Sequence, residues 1–168
     1  ISDGMRGMAV TDHGNMFGIK DFFDYCAKVN GKRKKEGLEP FKPIFGCEMY
    51  VARRGDKSLR EIKQDQSGWH LVVLAKNEKG YHNHADLEKF HEGLIIASAC
   101  LGGEIPKKIM SGDIAAAEEA IQWFKGIWGD DYYLEVQRHQ VRDPRQRANR
   151  EVFELQQKVN KVILDLAQ

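Results

Sequence analysis

Short apolar runs of strand length alternate along this chain with longer runs whose apolar residues stand three and four apart. That alternation constrains the fold more than any other feature. "GMAVT" reads as a short buried strand. "GIKDFFDYCAKVN" follows it, with Ile19, Phe22, Phe23 and Cys26 at helical spacing. "GKRKKEGLEP" reads as a charged, glycine-bearing loop, and "PIFGCEMYVA" as a second strand. "RRGDKSLREIKQDQSG" is a polar connection into a third strand, "HLVVLAK", which "NEKG" closes as a turn. "GLIIASAC" is a fourth strand. Asp113 suits the N-cap of "IAAAEEAIQWFKGIW", whose Ile114, Ala117, Ile121, Phe124 and Trp128 make one face, and Gly129 suits its C-terminal cap. "YYLEVQ" is a fifth strand, and an amphipathic helix from about Arg147 to Ala167 finishes the chain. Strands alternating with amphipathic helices indicate an α/β fold with mostly parallel strands.

Composition excludes several classes. Lys+Arg 26 against Asp+Glu 25 leaves a net charge of +1, so no global field points to nucleic acid or a membrane surface. Local patches still permit DNA contact. Cys26, Cys47 and Cys100 are odd in number and widely spaced. They form no disulfide framework or CxxC motif, which points to a reducing, cytoplasmic setting. No apolar run reaches transmembrane length. The chain opens on "ISDGMRG", which reads as a start in mid-protein.

In α/β folds, polar residues at strand ends build the sites. His13 follows the first strand, within "MAVTDHGNMFG". Glu48 lies inside the apolar "FGCEMYV", where a carboxylate needs a partner. His70 enters the third strand, and Cys100 follows the fourth, just before "LGGE". Together they offer nitrogen, oxygen and sulfur donors suited to zinc or manganese, each from a separate β/α unit. Each also has an ordinary reading. A histidine beside a strand is more often a hydrogen-bonded structural residue, Glu48 could face outward on an edge strand, and Cys100 could be a small buried hydrophobe. Cys26 and Cys47 read in that last way, Cys47 facing opposite to Glu48. His82, His84 and His91 lie in polar segments and receive no site role. The basic runs near Lys32–Lys35 and Arg53–Arg54 read as solvated loops.

"AVTDHGNMFG", "PIFGCEMYVA", "HLVVLAKNEKGYHN", "SACLGGEIP" and "GDDYYLEVQRH", in that order, resemble the PHP (polymerase and histidinol phosphatase) domain of bacterial replicative DNA polymerase III alpha subunits. The resemblance covers nearly the whole chain. It implies a partial, distorted β/α barrel holding divalent metal ions: zinc or manganese, with magnesium as a further candidate. In many relatives the implied activity is 3′–5′ proofreading exonuclease; in others the domain is a non-catalytic structural platform. A histidinol-phosphatase-like phosphoesterase is the other alternative. Position by position, the resemblance implies metal-ligand roles for His13, Glu48, His70 and Cys100. It implies a supporting role for Asp12, which would orient a ligand or a neighbouring strand. Glu135 and His139 would be additional cleft residues. The implied partners are DNA, through the full-length polymerase, and other replicase subunits, with no membrane.

The chain departs from the family in two ways. The "HLHxHS"-type strand and the "NDxH"-type strand, which supply further ligands in relatives, are not in it. The expectation is a single incomplete PHP domain over residues 1–168, inactive as this fragment. Second, "GYHN" runs directly into "HADLEKFHEGL" where relatives carry a longer segment. A missing segment and a chain break are expected at Asn83–His84.

Overall fold

The computed structural model describes residues 4–53, 58–82, 89, 91–138, 143, 145 and 147–168; the Asn83–His84 join and His139 lie outside them. Along the chain come β1 (Gly7–His13), α1 (Ile19–Lys35), β2 (Lys42–Val51), a 3₁₀ turn (Lys63–Gln66), β3 (Trp69–Ala75), α2 (Glu78–His82) and β4 (Leu94–Ala97). Then follow α3 (Glu104–Met110), α4 (Ile114–Trp128), a second 3₁₀ turn (Gly129–Asp131), β5 (Tyr132–Tyr133) and α5 (Arg147–Leu166). This is a mixed α/β fold whose strands hydrogen-bond in the order β1-β2-β3-β4-β5. Among the described residues, no helix is long and apolar enough to cross a membrane.

The strands are mostly parallel, and one is not. β1 pairs in parallel with β2, from Gly7 opposite Lys42 to His13 opposite Glu48. β3 runs the other way. Gly46 on β2 lies against Val73, whereas Gly68, just before β3, lies against Tyr50 and Val51. Numbers that rise on one strand fall on its neighbour, which is antiparallel pairing. Beyond β3, the Lys76 N–H donates to the Gly93 carbonyl, just ahead of β4, while His70 near the start of β3 meets Cys100 just past the end of β4. β3 therefore begins where β2 and β4 finish.

The chain packs as two compact units, Ile1–Met49 with Val72–Ile96, and Tyr50–Leu71 with Ala97–Gln168. In the first, Ile19 and Cys26 of α1 are buried, as are Phe41, Cys47, Val73, Leu94 and Ile96. Asn30 clamps the helix to the head of β2: its amide nitrogen donates to the Phe41 carbonyl at 2.8 Å, and its oxygen accepts the Phe41 N–H at 2.7 Å. α1 continues through "GKRKK", which the sequence reading had assigned to a loop. Lys32, Arg33, Lys34 and Lys35 fill its last turn, where cations meet the negative end of the helix dipole. The chain leaves at Gly37, whose φ of +70° suits glycine.

In the second unit, α3, α4 and α5 enclose a core of Ile105, Ile109, Ala117, Ala120, Ile121, Val159 and Ile163. α3 was not foreseen beyond the "LGGE" turn. Pro106 sits in its first turn, where a missing N–H costs nothing. α4 is capped as expected, by Asp113 and by Gly129 at φ +54°. The Asp113 carboxylate accepts the Ala116 N–H at 3.0 Å. Asp113→Ala is expected to cost about 1 kcal/mol in a denaturant titration; an unchanged midpoint would show the cap to be idle. The fifth strand is shorter than "YYLEVQ", because after Tyr133 the backbone leaves the sheet and binds side chains instead. The Glu135 N–H donates to Ser98 Oγ at 2.8 Å, and Asn160 of α5 donates to the Gln137 carbonyl at 2.8 Å.

Candidate metal centre

The first unit brings His13 and Glu48 together. Parallel register sets them opposite each other, His13 at the end of β1 and Glu48 in the last half of β2, and His13 Nδ1 lies 2.8 Å from Glu48 Oε2. Glu48 has thus found the partner that a carboxylate in an apolar strand requires. The turn after His13 is fixed by its own side chains. The Gly14 N–H donates to the Glu48 carbonyl at 2.9 Å, Asn15 donates to the His13 carbonyl at 2.9 Å, and Asn15 accepts the Phe17 N–H at 3.0 Å. Asp12 points the other way. Its carboxylate accepts the Gly18 N–H at 2.6 Å, at the mouth of α1, where a negative charge is favoured. A Cβ at Gly18 would lie 2.7 Å from that oxygen, so the glycine is what admits the close approach. Asp12 thus holds the strand end and the helix start around the His13 turn. Cys47 is buried, and its thiol donates to the Asp12 carbonyl at 3.5 Å. Burial first, then the Asp12 charge, pushes that thiol up, which keeps it protonated and in a packing role.

The second unit brings His70 and Cys100 together, with His70 Nδ1 3.4 Å from Cys100 Sγ. The ring of Tyr50 meets the His70 ring edge-on, centroids 5.2 Å apart. The His70 N–H donates to the Gly102 carbonyl at 3.1 Å, and the Gly102 N–H donates to Cys100 Sγ at 3.3 Å. Ala99, next to Cys100, is buried with φ +62°, a left-handed strain of the kind found where a loop must aim a side chain. Glu135 accepts a hydrogen bond from Gln137 at 2.5 Å. His91 is exposed. Tyr50 and Gly102 were missed by the sequence reading. Tyr50 could have been found from strand parity, standing two residues beyond Glu48; nothing local marks Gly102.

The donor chemistry fits divalent metal in each unit. Zinc bonds of about 2.0 Å to nitrogen and 2.3 Å to sulfur at a tetrahedral angle put the two donors about 3.5 Å apart. The His70–Cys100 spacing of 3.4 Å matches that bite. The His13–Glu48 spacing of 2.8 Å is that of a hydrogen bond, and a small opening would let one ion take the proton's place between them.

The protein-family model described as "PHP domain" matches residues 1–87 and 83–139. The DNA polymerase III subunit alpha of Borreliella burgdorferi is 41% identical over 162 aligned positions, covering 83% of this chain and 13% of that protein. The subunit of the same name from Treponema pallidum is 35% identical over 157 positions, covering 81% of this chain and 13% of its own length. That of Deinococcus radiodurans is 31% identical over 170 positions, covering 87% and 12%. The chain thus spans about an eighth of the length of these relatives. With a family match over most of its residues and these relatives behind it, the chain belongs to the PHP domain family, in the branch of the DNA polymerase III alpha subunits.

Proposed function

We propose that this chain is the metal-binding part of a PHP domain in a replicative DNA polymerase III alpha subunit, and that the domain hydrolyses phosphodiesters at the 3′ end of DNA as a proofreading exonuclease. The observation that carries the reading is the pair of ready-made donor sets, His13 with Glu48 and His70 with Cys100. We read each set as a seat for zinc or manganese, with magnesium as the harder alternative.

Divalent ions, when bound, supply Lewis-acid charge at the phosphate and a more acidic water. The chain's own residues do the rest. Glu48 and Cys100 bring negative charge that holds cations where a DNA phosphate must approach. Asp12 and Asn15 keep the His13 turn closed. Glu135 and His139 are read as further cleft residues. The family matches meet at 83–87, which supports reading Asn83–His84 as the edge of a missing segment. In this reading the domain is a partial β/α barrel. The partners are DNA and the other replicase subunits, in the cytoplasm.

The test uses the polymerase subunit that carries this chain and single-stranded DNA labelled at its 5′ end. Stepwise shortening from the 3′ end is expected, lost on chelation and restored by manganese or zinc. The 168-residue chain alone is expected to be inactive. A subunit that polymerises but shortens nothing with any of these metals would make the domain a platform. Hydrolysis of small phosphate monoesters but not of DNA would make it a phosphatase.

A further inference from the structure

We infer that Gly102 is a positioning residue for the His70–Cys100 pair: one backbone residue, without a side chain, sets both donors at the spacing a thiophilic divalent ion requires. The inference rests on the metal-centre reading above and adds to it the element that aims the donors.

Gly102 touches both donors at once. Its N–H donates to Cys100 Sγ at 3.3 Å, and its carbonyl accepts the His70 backbone N–H at 3.1 Å. Next to it, Gly103 forms a parallel bridge with His70, so strand-type pairing locks this turn to the start of β3. The His70 ring lies directly over Gly102. A Cβ there would stand 2.7 Å from Nδ1 and 2.9 Å from both Cε1 and Cγ. Those distances are well inside van der Waals contact, and Nδ1 is the very atom that faces Cys100 Sγ. The ring has little freedom to yield, because the edge of Tyr50 also packs on it.

The hydrogen bond to sulfur has a second consequence. A thiolate that binds a metal keeps lone pairs that need donors, and an N–H aimed at sulfur meets that need while fixing its direction. Gly102 is not among the glycines of positive φ. Alanine can therefore adopt its backbone, and the substitution tests the ring contact rather than the turn. A nitrogen–sulfur pair of this kind takes zinc, and cobalt(II) can replace zinc as a coloured reporter.

The experiment titrates cobalt(II) into the wild-type protein, Gly102→Ala and Cys100→Ser, following the sulfur-to-cobalt charge-transfer absorption, with circular dichroism as the check on folding. The band is expected in the wild type and absent in Cys100→Ser. Gly102→Ala, with unchanged circular dichroism, should lose it or bind at least about tenfold more weakly. Wild-type band and affinity in Gly102→Ala would overturn the role of Gly102 and leave Cys100 a ligand. No band in the wild type, or an equal band in Cys100→Ser, would overturn the metal-centre reading and this inference with it. If Gly102→Ala fails to fold, the wild-type protein loaded with cadmium-113 decides. Scalar coupling between the metal and the Gly102 amide proton is expected through the N–H···S bond, and its absence with cadmium on Cys100 would overturn the proposal.

Discussion

Cys100→Ala in the intact polymerase subunit is expected to lower 3′-terminal nucleotide release by about 100-fold or more, since even residues that only support a metal ligand are worth 10–100-fold. The substitution removes more than one donor atom. His70 loses the neighbour 3.4 Å away with which it would chelate the ion. The Gly102 N–H loses its acceptor. Negative charge that would offset the metal also disappears. The release rate and the metal content of the purified protein should fall together, with DNA synthesis as the internal control. Loss of less than about threefold would take Cys100 out of the centre.

Ile163→Ala is expected to cost the fold about 2–5 kcal/mol. Ile163, on α5, is 1% exposed and packs within the core that α3, α4 and α5 share. Val159 stands one turn before it and is equally enclosed, so one cavity would open beside a close-packed row. Domains of ordinary stability hold about 5–15 kcal/mol, so the loss would be a large fraction of the whole. With a urea slope of about 2 kcal/mol/M, the midpoint should fall by roughly 1–2.5 M. Leu164, the next residue, is 57% exposed. Leu164→Ala should stay within about 0.5 kcal/mol, which makes it the control. Equal effects at the two positions would mean that α5 does not pack through the Val159–Ile163 face.

Much of the molecule was legible residue by residue. Periodicity placed β1, β2, β3, β4, α4 and α5, because a strand or helix with one buried face writes its period into the chain. Asp113 and Gly129 marked the ends of α4, because caps are short-range chemistry. Cys26 and Cys47 were read as buried, and they are. The same locality explains the errors. Gly31 and four basic residues look like a loop until the helix dipole they terminate is in view. "YYLEVQ" has the pattern of a strand, yet its later backbone groups go to Ser98 and Asn160, partners far away in the chain.

His13, Glu48, His70 and Cys100 could be picked out by residue type and resemblance; their pairing could not. Periodicity says which way a side chain faces and is silent on which way a strand runs. A parallel alternation would have set His70, at the start of its strand, at the opposite end from residues at the finish of theirs. The reversal of β3 puts His70 beside Cys100, and the parallel register of β1 and β2 puts His13 opposite Glu48. The chain thus determined which atoms could bind a metal, and strand direction and register, which depend on hydrogen bonds between segments distant in sequence, decided which of them meet.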